Sequence, residues 1–214
     1  MAHPADDLQE SRDAASSVVQ ALNDRGHVAM YVETAQEALR KVLELIPETA
    51  SVGVPGTLTI RQIGAIEALL ARGNKVIGHW GDAGDLPAAE ARFEEMRCDV
   101  FLTSSNALLE DGRMVNVDGV GNRLAAMCFS QGDRIFVIGL NKLCPNIPTA
   151  LNRIRDYAGP KNASRLNKSL ADSPDALKKV VDQISRVTLI TEKAPTMTGA
   201  HKSYVILVGE PLGY

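Results

Sequence analysis

Short apolar runs alternate along this chain with segments whose apolar residues recur at helical spacing. His27–Val32 (HVAMYV) predicts a strand. Thr34-x-x-Glu37 behind it has the form of a capping box, in which a hydroxyl and a carboxylate each satisfy an orphan N–H. Ala38, Leu39, Val42, Leu45 and Ile46 form the apolar face of the helix that follows, and Pro47 lies past its end. Ser51–Val54 predicts the next strand. Thr59-x-x-Gln62 predicts the cap of a helix running to about Arg72, with Gly73 as its stop. Further strands are predicted at Lys75–Gly78, Asp99–Thr103, Met114–Val117, Arg134–Gly139, Arg186–Thr191 and Tyr204–Val208. Arg134–Gly139 (RIFVIG) is apolar enough to be buried on both faces. Helices are predicted at Pro87–Arg97, at Leu124–Phe129, and from Pro148 through Leu151, Ile154 and Tyr157, where Gly159-Pro160 ends the last one.

This alternation predicts an α/β fold, with a mostly parallel sheet and helices on both faces. Glu192–Ser203 reads as a loop, so the last two strands predict a C-terminal β-hairpin. The N-terminal helix, roughly Ala5–Arg25, is polar on much of its surface. It reads as a helical segment (1–25) beside a single α/β domain (26–214), packing on the outside or reaching a partner chain in a homo-oligomer.

Composition narrows the function classes. Of 214 residues, 45% are hydrophobic and 23% charged, the balance of a globular domain. The net charge of −3 and the 4% aromatic content argue against nucleic acid, since Lys and Arg do not cluster with aromatics. No stretch approaches the ~20 apolar residues of a membrane span, and the first residues lack the apolar core of a signal peptide. Cys98, Cys128 and Cys144 are odd in number and widely spaced, which predicts free thiols in a reducing, cytoplasmic setting. His3, His27, His79 and His201 show no metal-ligand spacing, and no motif names a cofactor.

Four segments at strand ends are candidates for chemistry. Gly53-Val54-Pro55-Gly56-Thr57-Leu58-Thr59 joins a strand to a helix. Gly53 and Gly56 allow close backbone approach, and Thr57 and Thr59 supply hydroxyls. The segment reads either as an anion-binding turn at a helix N-terminus or as a plain turn with a capping threonine. Asn116–Arg123 is the densest polar cluster. In it Asp118 is a candidate base or orienting acid, Gly119 and Gly121 frame it, and Arg123 is placed to clamp an anion. The alternative is a structural turn with Asn122 as the helix cap. Asn141 and Lys142 end the most apolar strand. There the lysine is either an anion partner, a base if desolvated, or a solvated flank. Thr103-Ser104-Ser105-Asn106 is a ligand shelf offering Ser104 and Asn106, or a helix cap, with the cap favoured. His79, Trp80, Arg153 and Arg155 are weaker, with structural or solvated roles as the default. Because open α/β sheets bind ligands beyond the carboxyl ends of their strands, Asp118, Asn122, Arg123, Lys142 and the Gly53–Thr59 turn are expected around one site.

The stretches SVGVPGTLTIRQIG, DVFLTSSNALLEDGRMVNVDGVGNRLAAM, VIGLNKL, ALNRIRDYAGPKNASRL and VILVGEPLGY resemble the LUD family, the domain of bacterial lactate-utilisation proteins, and above all its lactate-utilisation protein C branch. The resemblance implies a fold similar to ribose-phosphate isomerase and the coenzyme A transferases. In those enzymes a glycine/threonine loop holds an anion and strand-end acids act as base or nucleophile. It also implies oxidoreductase partner subunits. Many members carry a cysteine-rich segment before the last strands, whereas Asn167–Ser185 contains no cysteine, so iron–sulfur ligands are not expected here. Three functions follow as alternatives: a subunit or accessory of organic-acid oxidation, a standalone enzyme on a sugar phosphate or acyl-CoA, and a non-catalytic scaffold. The expected ligand is a small anion: a carboxylate, a phosphate or a CoA thioester.

Overall fold

The structure, a computed structural model, describes residues 4–167, 173–195 and 201–214. Its strands are β1 (Val28–Val32), β2 (Val52–Gly53), β3 (Val76–Ile77), β4 (Val100–Thr103), β5 (Ala107–Leu109), β6 (Met114–Asp118), β7 (Asp133–Gly139), β8 (Leu143–Cys144), β9 (Val187–Thr191) and β10 (Ser203–Val208). The α-helices are α1 (Pro4–Asp24), α2 (Ala35–Leu45), α3 (Leu58–Gln62), α4 (Ala65–Ala71), α5 (Ala88–Glu94), α6 (Asn122–Phe129), α7 (Ile147–Arg153), α8 (Gly159–Leu166) and α9 (Pro174–Ile184).

Six strands form an all-parallel sheet in the order β1-β10-β7-β4-β2-β3. Side chains alternate across its central strands. Ile135, Val137, Ile206 and Val208 face a core closed by α2, α3 and α4, while Phe136, Ile138, Val205 and Leu207 face one closed by α1 and α6. Every strand of this sheet is therefore apolar at consecutive positions, as a sheet covered on both faces requires. The inner stripe of α1 (Ala15, Val18 and Leu22) is fully buried against the second face. The capping box at Thr34 forms as the sequence predicts, with Thr34 Oγ1 accepting from the Glu37 N–H at 3.2 Å and Glu37 Oε2 accepting from the Thr34 N–H at 3.3 Å. Thr34→Ala should lower the urea-unfolding free energy by about 1 kcal/mol, with the unfolding slope unchanged.

A second, four-stranded sheet runs β8-β5-β6-β9. It corrects three expectations. Thr103–Asn106 does not cap a helix but leads from β4 into β5, which pairs antiparallel with β6 across a tight turn in which Gly112 has φ +85°. The last two strands are present but form no hairpin. β9 pairs antiparallel with β6, and β10 inserts parallel between β1 and β7. Residues 196–200 of the intervening stretch Glu192–Ser203, which the sequence reads as a loop, lie outside the described residues. Met114–Asp118 belongs to this second sheet rather than to the parallel one.

Two helix boundaries also differ. The helix expected to run unbroken to Arg72 is split into α3 and α4 by Gly64, whose φ of +71° lies in the left-handed region that glycine adopts without strain. Gly159-Pro160 does not end its helix. A wider π turn spans Ile154–Ala158, with the Gly159 N–H bonding back to the Ile154 carbonyl, and α8 continues from it. The extra residue in that turn accommodates a proline, which can offer no N–H to the helix ladder. A β-carbon at Gly159 would collide with Val181 of α9, so glycine sets the close approach of the two elements.

Candidate functional site

The central strands β10, β7, β4 and β2 end side by side, and each delivers polar groups at its carboxyl end. After β2 the chain turns through Pro55 and Gly56. The Thr57 N–H bends back onto the Pro55 carbonyl at 2.7 Å, and the Arg61 guanidinium donates to the carbonyls of Pro55 (3.2 Å) and Thr57 (2.8 Å). Arg61 itself is held by Asp82 and lies over the Trp80 ring. Gly56 is required there, since a β-carbon would strike the indole. The N-cap of α3 is Thr57 rather than Thr59, and its hydroxyl makes no capping bond. Thr59 is buried inside α3 and accepts a hydrogen bond from Lys142 at 2.9 Å. Gly53 lies in the sheet against the Glu95 backbone, away from the cleft. Its small size serves packing there.

Lys142 sits in a single 3₁₀ turn after β7 and is 3% exposed. Its ammonium donates to Thr59 Oγ1 and to Ser104 Oγ, both at 2.9 Å. Among the described residues no carboxylate pairs with it. Burial, with the nearby charges of Arg153 and Arg123, pulls its pKa from 10.5 down to about 7. The lysine is therefore neither solvated nor neutralised. Gly213, after β10, lies so close that a β-carbon would approach Lys142 Nζ to 3.0 Å. Asn141 does not face the cleft. Its side chain anchors this C-terminal segment, with Oδ1 accepting from the Leu212 N–H at 3.0 Å and Nδ2 donating to the Gly213 carbonyl.

Asp118 and Arg123 enter from the second sheet. Asp118 ends β6, and its two oxygens are both engaged by Arg123: Oδ1 by Nε (3.0 Å) and Nη2 (2.7 Å), Oδ2 by the backbone N–H (3.2 Å). The same guanidinium donates to Asn116 Oδ1 at 2.8 Å and Asn106 Oδ1 at 2.7 Å. Asn106 Oδ1 in turn accepts the Val117 N–H, so β6 and the end of β4 are tied into one network. The cap of α6 is Gly121, with φ +90°, and not Asn122, which is the first helical residue. Gly119 lies under the Ile184 carbonyl, leaving no room for a side chain.

These parts enclose two adjoining spaces. An inner cavity of about 180 Å³ is lined by Gly56, Thr57, Thr59, Ser104, Asn106, Asp118, Gly119, Arg123 and Lys142, with Trp80 and Tyr214. Of the expected constellation, the Thr57–Thr59 turn, Asp118, Arg123 and Lys142 come together here. Asn122 lines only the outer space, and Gly53, Gly121 and Asn141 line neither. The outer hollow, about 580 Å³, shares Gly56, Trp80, Asp118, Gly119 and Arg123 with the inner one. It adds His79, which the sequence offered as a weaker candidate, and Arg92, Arg165 and Arg186, which the sequence did not single out as site residues. Trp80 stands between two guanidinium groups, Arg61 at 4.1 Å and Arg165 at 3.9 Å from its ring centre. Arg165 also donates to Tyr214 Oη at 3.1 Å. As the only tryptophan, placed just after a strand, Trp80 was the available signal for this wall. Arg153 is not solvated as expected: it donates to the carbonyls of Asn106 (2.7 Å) and Asn141 (3.2 Å). Arg155 is exposed and pairs with Asp156. Among the described residues no group of three or more His, Cys, Asp or Glu side chains is placed to hold a metal ion. No described helix is long and apolar enough to cross a membrane.

The fold and cleft define an α/β protein with a cationic pocket at the ends of its central strands. The LUD domain matches residues 15–206, and the chain belongs to the LUD-domain family. In fold it is similar to the crystal structure of a DUF162 family protein from Deinococcus radiodurans, with a TM-score of 0.55 and 12% identity over 93% of this chain and 98% of that one. No curated protein matches the chain in sequence.

Proposed function

We propose that this LUD protein binds a small organic anion, a carboxylate or phosphate, in the inner cavity, and serves organic-acid oxidation of the lactate type as an accessory or subunit whose partners supply the electron transfer. The observation that carries the reading is Lys142: a buried amine bonded to two hydroxyls, with two arginines nearby and no paired carboxylate among the described residues. Burying an uncompensated charge is costly, and an incoming anion supplies the missing counter-charge. Thr57, Thr59 and Ser104 add hydroxyl donors to the same space. α3 has only five residues, so its dipole contributes little and the side chains dominate. Asp118, with both oxygens occupied, fits the role of orienting Arg123 better than that of a base.

The proton on Lys142 gives the test its sign. With a free pKa of about 7, the ammonium is populated below that pH and lost above it, whereas a bound anion holds the proton. Calorimetry with lactate, pyruvate and inorganic phosphate should show affinity falling up to about tenfold per pH unit above neutrality, with proton uptake on binding. Affinity that is level from pH ~6 to ~8.5 would remove Lys142 from the ligand and the reading with it. The alternative of a standalone acyl-CoA enzyme predicts that a CoA thioester binds and the small acids do not.

A further inference from the structure

We propose that His79, oriented by Glu95, is the proton acceptor of a second anion site, in the outer hollow, that takes a phosphorylated or carboxylated compound bearing an acidic C–H or O–H. His79 follows β3 and is one of the residues that line the hollow. Nδ1 lies 2.6 Å from Glu95 Oε1, and the same oxygen accepts the His79 backbone N–H at 3.0 Å. These two bonds fix both the ring and the carboxylate. Glu95 is 1% exposed and sits in a 3₁₀ turn whose backbone is packed on Gly53. Burial pushes its carboxyl up, while its bonds from His79 hold it back towards the ionised form. A carboxylate at Nδ1 sets the tautomer that leaves the Nε2 lone pair free. Among the described residues Nε2 has no hydrogen-bond partner, so it is the ring atom left for a ligand.

The surrounding charges select an anion. Arg92 on α5, Arg165 on α8 and Arg186 before β9 line the same hollow, and none of the three forms an ion pair among the described residues. Arg92 Nε is buried with no hydrogen-bond partner among the described residues. The remaining charged groups are compensated: Asp118 by Arg123, and Asp82 by Arg61 beside Trp80. In the proton transfer, a C–H or O–H bond of the ligand breaks and its electron pair stays on the ligand as an enolate or alkoxide. The proton forms a bond to Nε2. Glu95 balances the imidazolium and the arginines balance the charge left on the ligand. The reverse step returns the proton, and no further reactant is needed.

Carbethoxylation of the full chain, mapped by mass spectrometry, tests this with pyrophosphate as the probe. His79 should react, and pyrophosphate should slow it at least about tenfold while leaving the half-exposed His201 unaffected. Protection should persist in Lys142→Met, which separates this site from the inner one. Nitrogen NMR of the native protein tests the orientation by Glu95 through the tautomer of His79: protonation at Nδ1 supports the proposal and protonation at Nε2 overturns it. A His79 that does not react, or reacts equally fast with and without pyrophosphate, also overturns it.

Discussion

Lys142→Met is expected to unfold at a higher temperature than the native protein while losing its anion. In the folded chain the amine titrates at about 7 instead of 10.5, so folding works against its charge. At 1.36 kcal/mol for each tenfold change in the equilibrium, that fall sets an upper limit of roughly 5 kcal/mol. Thr59 and Ser104 lose their partner in the variant, which returns part of the gain, and a net stabilisation of about 2 kcal/mol is the expected value. The pH dependence distinguishes this cause from better packing. Between about 7 and 10.5 the unfolded chain holds a proton that the folded chain has released, so native stability rises with pH across that window. Methionine does not titrate. The advantage of the variant should be largest near pH ~6 and shrink as pH approaches ~10. Urea unfolding at several pH values measures it, and a variant that is less stable at every pH would refute the assignment of Lys142 as an uncompensated charge.

Arg123→Leu should have the opposite sign and a larger size. The guanidinium is the donor for Asp118, Asn116 and Asn106 together, and the Asp118 and Arg123 side chains are only 13% and 11% exposed. Removing it leaves a nearly buried carboxylate without its partner, which typically costs about 3–5 kcal/mol. Asp118→Asn should cost less, about 1–3 kcal/mol, because the amide still accepts one of the bonds. Combining the two changes should cost less than the sum of both, since the double variant has no unpaired charge to bury. Strict additivity in denaturant melts would mean that the pair is not coupled.

Much of the parallel sheet was legible because its strands are dense apolar runs separated by capped amphipathic helices. The Thr34 capping box and the burial of Arg134–Gly139 are direct readings of residue pattern. The second sheet was harder. β5 and β8 are three and two residues long, too short for a period to register. Yet Asp111-Gly112 between Ala107–Leu109 and Met114–Asp118 is a hairpin signal that the sequence did carry. The pairing of β9 with β6 and of β10 with β7 depends on contacts distant in sequence, which no local pattern encodes. For the site, Lys142 and Arg123 were legible as cations at strand ends. Arg165, Arg92 and Glu95 were not, because a helical arginine or glutamate is read as a solvated face until the fold turns it inward.

Of the six strands of the parallel sheet, β10 comes last in chain order yet lies in its interior. It is flanked by β1 on one side and β7 on the other. During synthesis β1 and β7 are on the ribosome surface long before residues 203–208 emerge, and they cannot close on each other in the native register without the strand that separates them. The central sheet is thus assembled late and by contacts of high sequence separation, a topology that folds slowly and leaves two long apolar edges open in the meantime. Stalled or C-terminally truncated chains lacking β10 should accumulate as chaperone-bound or aggregated species rather than as a smaller native domain.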